Sequence, residues 1–180
     1  MTDARASDAS AAAPELLEVA LNLLLTTEPH VTIATAESCT GGLVAHRITS
    51  VAGSSVYFLG GVVAYANAAK TRLLGVPAEI IATRGAVSAE CAVAMAEGAR
   101  RVFGADIAVA TTGIAGPTGG TARKPVGLVY LAYAALTGSG WEEHHFPGDR
   151  LAVIHAASEA ALRLLMEQAQ RALQADRRSP

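Results

Sequence analysis

The chain has 180 residues, of which 51% are hydrophobic and 17% charged, and its 14 basic and 16 acidic residues give a formal net charge of −2. That length and apolar content allow one domain with a real core and argue against two. The basic residues are scattered apart from the pairs at 100–101, 123–124 and 177–178, so no stripe exists to displace counterions from a duplex, and nucleic acid is not an expected partner.

Residues 1–13, "MTDARASDASAAA", have no periodicity and read as a flexible leader. A single domain is expected over 14–175, with a frayed tail at 176–180. Pro14 suits a first helical turn, and Leu16, Leu17, Ala20, Leu21 and Leu24 recur at helical spacing up to a stop near Pro29. "VTIATAE" (31–37) is β-rich and runs straight into "SCTGG", after which Leu43, Val44 and Ile48 predict a short helix ending near Gly53. "VYFLGGVVAYA" (56–66) reads as a second strand whose Gly60 and Gly61 mark a bend or a close backbone approach. "NAAKTRLLGV" predicts a helix of two turns. Ser88 is the expected N-cap of the strongest helix, with Glu90 in its first turn and Ala92, Met95, Ala96, Ala99, Val102 and Phe103 on its face, up to Gly104.

"DIAVATTGIAG" is a strand followed by a glycine loop, "VGLVYLAYAAL" a long apolar strand, and "WEEHHF" an outer strand joined to it by a hairpin turn in "LTGSG". Asp149 is placed to cap a last helix from about Arg150 to Gln174, with Leu151, Ile154, Ala157, Ala161 and Leu165 facing inward. Near-continuous apolar strands alternating with helices predict an α/β fold: three-layer α/β/α, with a mostly parallel mixed sheet ending in an antiparallel hairpin. Ligands of such sheets sit beyond the carboxyl ends of the strands, where the loops 38–42 and 113–120 would meet. The apolar runs fall short of the roughly 20 residues that a spanning helix needs, so no membrane partner is expected. With two cysteines, Cys39 and Cys91, and no secretory pattern, a soluble protein in a reduced cytoplasm is expected. Apolar faces on the first and last helices are consistent with a homo-oligomer.

Ser38 admits two readings at this stage. A serine between strand and helix commonly caps the helix. The same position also projects toward the ligand edge, where the amides of Cys39, Thr40, Gly41 and Gly42 and the helix dipole would stabilise an oxyanion. A serine nucleophile needs a base. None of His30, His46, His144, His145 and His155 has a recognisable triad context, which leaves the chain's two lysines, Lys70 and Lys124. Lys70 is either a solvated helix lysine or, enclosed by apolar walls, an amine whose pKa falls until it accepts the hydroxyl proton.

"TTGIAGPTGGTARKP" carries Gly113, Gly116, Gly119 and Gly120 with the hydroxyls of Thr111, Thr112 and Thr118. It is either a tight connection or an anion nest. It matches neither the Walker spacing nor G-x-G-x-x-G, which disfavours nucleoside triphosphate chemistry. Arg150 is a further candidate phosphate contact, and Arg123 and Lys124 are weaker ones.

Taken in order, "TAESCTGG", "GGVVAYANAAKTRLLGV", "GAVSAECAVAMAEGA", "TTGIAGPTGG" and "KPVGLVYLA" resemble the CinA C-terminal domain family, which includes bacterial nicotinamide-nucleotide amidohydrolases, over roughly residues 14–170. Larger members carry an additional N-terminal domain similar to molybdopterin-binding proteins; this sequence reads as the stand-alone form, without the activity of that domain. The resemblance implies hydrolysis of the carboxamide of nicotinamide mononucleotide, a small-molecule pyridine nucleotide, to nicotinic acid mononucleotide and ammonia, with no metal or cofactor. It places the nucleophile on Ser38 and the base on Lys70. Tyr65 and Asn67 fall near that lysine, to orient it or the substrate, although Tyr65 also reads as a core strand residue. The phosphate set is Thr112, Gly113, Gly116, Gly119, Gly120 and Arg150. The rival reading is a non-catalytic nucleotide- or partner-binding module linked to competence or damage response, which would need neither Ser38 nor Lys70.

Overall fold

The computed structural model describes residues 16–27 and 31–176. The expected leader, Pro14, His30 and residues 177–180 of the expected tail lie outside the described residues. Five strands, β1 (Ile33–Glu37), β2 (Phe58–Val63), β3 (Ile107–Gly113), β4 (Leu128–Ala135) and β5 (Gly138–His145), form one sheet in the order β2-β1-β3-β4-β5. β1 runs parallel to both β2 and β3, whereas β3–β4 and β4–β5 are antiparallel. The three layers and the closing hairpin agree with the sequence reading. The antiparallel share is larger than that reading implies because the loop between β3 and β4 holds no helix, and a parallel return needs a crossover element.

Helices α1 (Leu17–Thr27), α2 (Leu43–Thr49) and α6 (Arg150–Asp176) cover one face; α3 (Asn67–Leu74), α4 (Ala78–Thr83) and α5 (Ala89–Phe103) cover the other. The strand period of two explains the division. Ile33, Ile107, Val109, Val129 and Leu131 point toward α6, while Ala34, Ala36, Ala108, Ala110, Ala132 and Ala134 point toward α5. Alanines on that face let α5 approach closely. At Gly98 an added Cβ would collide with the carbonyl oxygen of Leu74, so α3 and α5 touch through bare backbone. Gly98→Ala is therefore expected to destabilise the fold by about 1–3 kcal/mol through overpacking, read as a lower Tm.

Ser88 caps α5 as expected, its hydroxyl accepting from the Cys91 N–H at 3.2 Å, and Asp149 accepts from the Ala152 N–H at 2.9 Å at the start of α6. Three expectations need correction. Leu151 faces solvent at 65% exposure, because the buried stripe of α6 begins at Val153. On α1 the buried positions are Glu18, Leu21 and Leu25, and Leu16 is exposed; Glu18 is drawn inward by Arg47, at 2.6 Å. At Gly60 and Gly61 the irregularity expected of the strand is present, the register against β1 slipping between Phe58 and Gly60, but it is side chains, the Phe103 ring and the Thr35 hydroxyl, rather than another backbone, that occupy the space a Cβ would need. The short helix α4 has no counterpart in the sequence reading. Among the described residues no helix is long and apolar enough to cross a membrane.

Candidate active site

β2, β1 and β3 point their carboxyl ends the same way, and the residues that leave those ends define the site. The ladder extends one residue past β1, where the Ser38 N–H donates to the Thr111 carbonyl at 3.0 Å and the Ala64 N–H to the Glu37 carbonyl at 2.8 Å. Ser38 is thus fixed at the sheet edge by its own backbone.

Ser38 is not a helix cap. The capping is done by its neighbour Glu37, which is 1% exposed and whose carboxylate accepts from the N–H groups of Gly42 (3.0 Å), Val44 (3.0 Å) and Ala45 (2.8 Å) and from the Thr40 hydroxyl (2.7 Å). The sequence reading missed Glu37. An acidic residue at the end of an otherwise buried strand was the available signal, since such a group persists only with dedicated donors.

Freed from capping, the Ser38 hydroxyl meets Lys70. Lys70 lies in the first turn of α3, is 1% exposed, and its Nζ donates to Ser38 Oγ at 2.9 Å, to the Ala64 carbonyl at 2.8 Å and to the Tyr65 carbonyl at 3.3 Å. Burial holds its pKa below the ordinary lysine value, opposed by the neighbouring Cys91 and Cys39 thiols. Among the described residues no carboxylate hydrogen-bonds to this amine. A neutral amine has two N–H groups and one lone pair. With the N–H groups on the Ala64 and Tyr65 carbonyls, the lone pair faces the Ser38 hydroxyl, which then becomes the donor.

Cys39, next to the serine, is no competitor as nucleophile: burial pushes its thiol up to about 12, so it stays protonated. His46 and His155 are exposed, and His144 and His145 pair with Glu142 and Glu143 on β5. None of these four lines the site.

A cavity of 270 Å³ opens over the pair, lined by Ser38, Cys39, Tyr65, Asn67, Lys70, Ala86, Val87, Thr112, Gly113, Ile114, Ala115, Gly116, Thr118, Gly119 and Arg150. It is near the lower end of the roughly 300–1,000 Å³ that small-molecule sites span. Larger hollows of 570 and 700 Å³ lie along α5, but neither brings a lysine amine or imidazole to a hydroxyl. The walls over Ser38 carry the Arg150 guanidinium and, among the described residues, no carboxylate, an arrangement that favours an anionic ligand.

The structure sorts the other candidates. Of the four amides considered for an oxyanion, Gly41 donates to the Ser38 carbonyl at 3.2 Å and Gly42 to Glu37, so both are already committed. Among the described residues the N–H groups of Cys39 and Thr40 have no hydrogen-bond partner in another residue; the Cys39 N–H meets only its own thiol. Tyr65 is not a core residue: it is 58% exposed, and its hydroxyl accepts from Arg150 at 2.8 Å. Asn67 lines the cavity beside it.

In the glycine loop, Gly113, Gly116 and Gly119 reach the cavity and Gly120 does not. The N–H groups of Ala115, Gly116, Thr118 and Gly119 have no partner among the described residues, as an anion nest requires. Thr112 turns its hydroxyl to the Ala86 carbonyl at 2.7 Å, and Arg150 donates to the Gly116 carbonyl at 2.9 Å. Arg123 is exposed. Lys124 spans from this loop to the carbonyls of Arg84 (2.8 Å) and Val87 (2.6 Å), so it fixes the Ala86–Val87 wall and leaves the cavity to Arg150.

Fold and site together define a three-layer α/β protein with a buried serine–lysine pair at the carboxyl edge of its parallel strands. The chain belongs to the CinA C-terminal domain family, which matches residues 15–169. It is 57% identical over 135 residues to a CinA-like protein of Geobacter sulfurreducens, covering 75% of this chain and 33% of that one. It thus spans about a third of the length of the curated relatives it matches. Among solved structures it resembles the competence/damage inducible protein CihA from Agrobacterium tumefaciens (44% identity, TM-score 0.79, covering 84% of this chain and 93% of that one). It also resembles a competence or damage-inducible protein from Enterobacter asburiae (31% identity, TM-score 0.80, covering 85% and 96%).

Proposed function

We propose that the protein hydrolyses the carboxamide of nicotinamide mononucleotide to nicotinic acid mononucleotide and ammonia through a covalent serine intermediate. The observation that carries this reading is the 2.9 Å contact between the Ser38 hydroxyl and an amine that is 1% exposed and held below its ordinary pKa. A binding module needs neither group, and enclosing an amine without a carboxylate partner is costly unless its neutral form is used.

In this reading neutral Lys70 takes the Ser38 proton as the oxygen attacks the carboxamide carbon. The N–H groups of Cys39 and Thr40 receive the oxyanion. The protonated amine returns the proton to the departing nitrogen, the C–N bond breaks, and ammonia leaves an acyl ester on Ser38. Water then attacks that ester with Lys70 again as base, releasing the carboxylate and restoring the hydroxyl. Arg150 and the unpaired amides of Ala115, Gly116, Thr118 and Gly119 hold the substrate phosphate.

Purified protein incubated with nicotinamide mononucleotide is expected to release ammonia and nicotinic acid mononucleotide in equal amounts. Arg150→Met is expected to raise KM far more than it lowers kcat, because its contact is made equally in ground and transition states. Saturable binding of the nucleotide without turnover between pH 6 and 10 would refute the hydrolase and support the module.

A further inference from the structure

We infer that Glu37 is a positioning residue for the oxyanion amides, acting through a one-way chain of hydroxyls that runs from Thr111 through Thr40 to its carboxylate. The inference rests on the amidohydrolase reading and adds to it a group that touches neither substrate nor the serine–lysine pair.

Direction in the chain follows from counting protons. A carboxylate only accepts, so the single proton of the Thr40 hydroxyl goes to Glu37 Oε2, at 2.7 Å. Thr40 Oγ1 and Thr111 Oγ1 are also 2.7 Å apart, and with the Thr40 proton already placed, Thr111 must be the donor. All three groups are buried, at 1%, 3% and 0% exposure for Glu37, Thr40 and Thr111, so water does not compete for these bonds.

The same Thr111 accepts the Ser38 N–H through its carbonyl at 3.0 Å. The loop is therefore gripped on both sides of the Cys39 and Thr40 peptide units: by Thr111 at Ser38, by Glu37 and Thr111 at the Thr40 side chain, and by Glu37 at the Gly42, Val44 and Ala45 amides. Inside that grip, among the described residues, the N–H groups of Cys39, which lines the cavity, and of its neighbour Thr40 have no partner in another residue. Oxyanion donors stabilise a transition state only when they are aimed before the charge develops, and this grip does the aiming.

Glu37→Gln puts an amide nitrogen where one carboxylate oxygen accepts, so one set of donors loses its acceptor. The expected result is a fall in kcat of about 10- to 100-fold, less than the 10²–10³ seen when an oxyanion donor is lost outright, with KM within about twofold. Thr111→Val keeps shape and burial but breaks the chain at its start. It is expected to lower kcat severalfold with KM and Tm near wild type, and it decides the matter if Glu37→Gln fails to fold. A role confined to capping α2 would lower Tm in Glu37→Gln but leave kcat unchanged in Thr111→Val, and that result overturns the inference. The rate of Ser38 phosphonylation by a fluorophosphonate probe, measured on the same proteins, uses the same amides without the nucleotide. If wild type is labelled yet releases no ammonia, the amidohydrolase reading fails while the labelling rates still decide on Glu37: a slower rate in both variants supports the positioning role, and an unchanged rate removes it.

Discussion

Ser38→Ala is expected to lower kcat by about 10⁴-fold or more, to the background of an ammonia assay, while KM and Tm stay near wild type. Ser38 is 9% exposed and, among the described residues, the only side-chain partner of its hydroxyl is the Lys70 amine, so its loss removes the attacking atom and leaves the walls in place. Cys39 will not substitute for it, because its thiol, pushed up to about 12, carries almost no thiolate at neutral pH. Added hydroxylamine gives a second view of the same step. With an acyl ester on Ser38 formed in the slow step, hydroxylamine diverts product to the hydroxamate without changing the rate of ammonia release. Direct attack by water on the amide would instead let hydroxylamine raise that rate, and such a rise with no burst of ammonia in the first turnover would refute the covalent scheme.

Lys70→Met is expected to cost about 10²–10⁴-fold in kcat, the range of a general base, with nucleotide binding retained. Lys70→Arg is expected to be no better despite keeping a cation, because a guanidinium does not give up its proton. Stability moves as well. A buried amine whose pKa lies below the ordinary lysine value binds fewer protons in the folded chain than in the unfolded one between those two values, so stability rises with pH across that window. Below the depressed value both states are protonated and the penalty is at its full size. Lys70→Met should lose this slope, read as a flatter dependence of Tm on pH; an unchanged slope would mean that the amine is not held neutral.

Much of this was legible because particular residues signal in one dimension. The apolar runs 107–113 and 128–135, and the Ser88 and Asp149 caps, mark their elements without help from the rest of the chain. So did the serine loop and the lysine 32 positions later, whose meeting follows from β1 and β2 being adjacent and parallel.

What was not legible depends on partners distant in sequence. Glu37 looked like the polar end of a strand, and only the fold shows that the donors of α2 converge on it, which takes Gly41 and Gly42 out of the oxyanion set. Lys124 looked like a loop cation, but its ammonium is taken by carbonyls 37 and 40 residues away. The inward turn of Glu18 likewise depends on Arg47, 29 residues on. α4 was missed because six residues between Pro77 and Gly85 are too few to show a helical period.

The chain's two lysines make its central claim directly measurable. In protein labelled with ¹⁵N-lysine, only Lys70 and Lys124 contribute side-chain signals, and Lys124→Arg assigns them. Titration is predicted to show Lys70 losing its proton below the ordinary lysine value, at the same pH at which kcat/KM rises to its plateau. A Lys70 signal that stays protonated through the pH range of full activity would contradict the account.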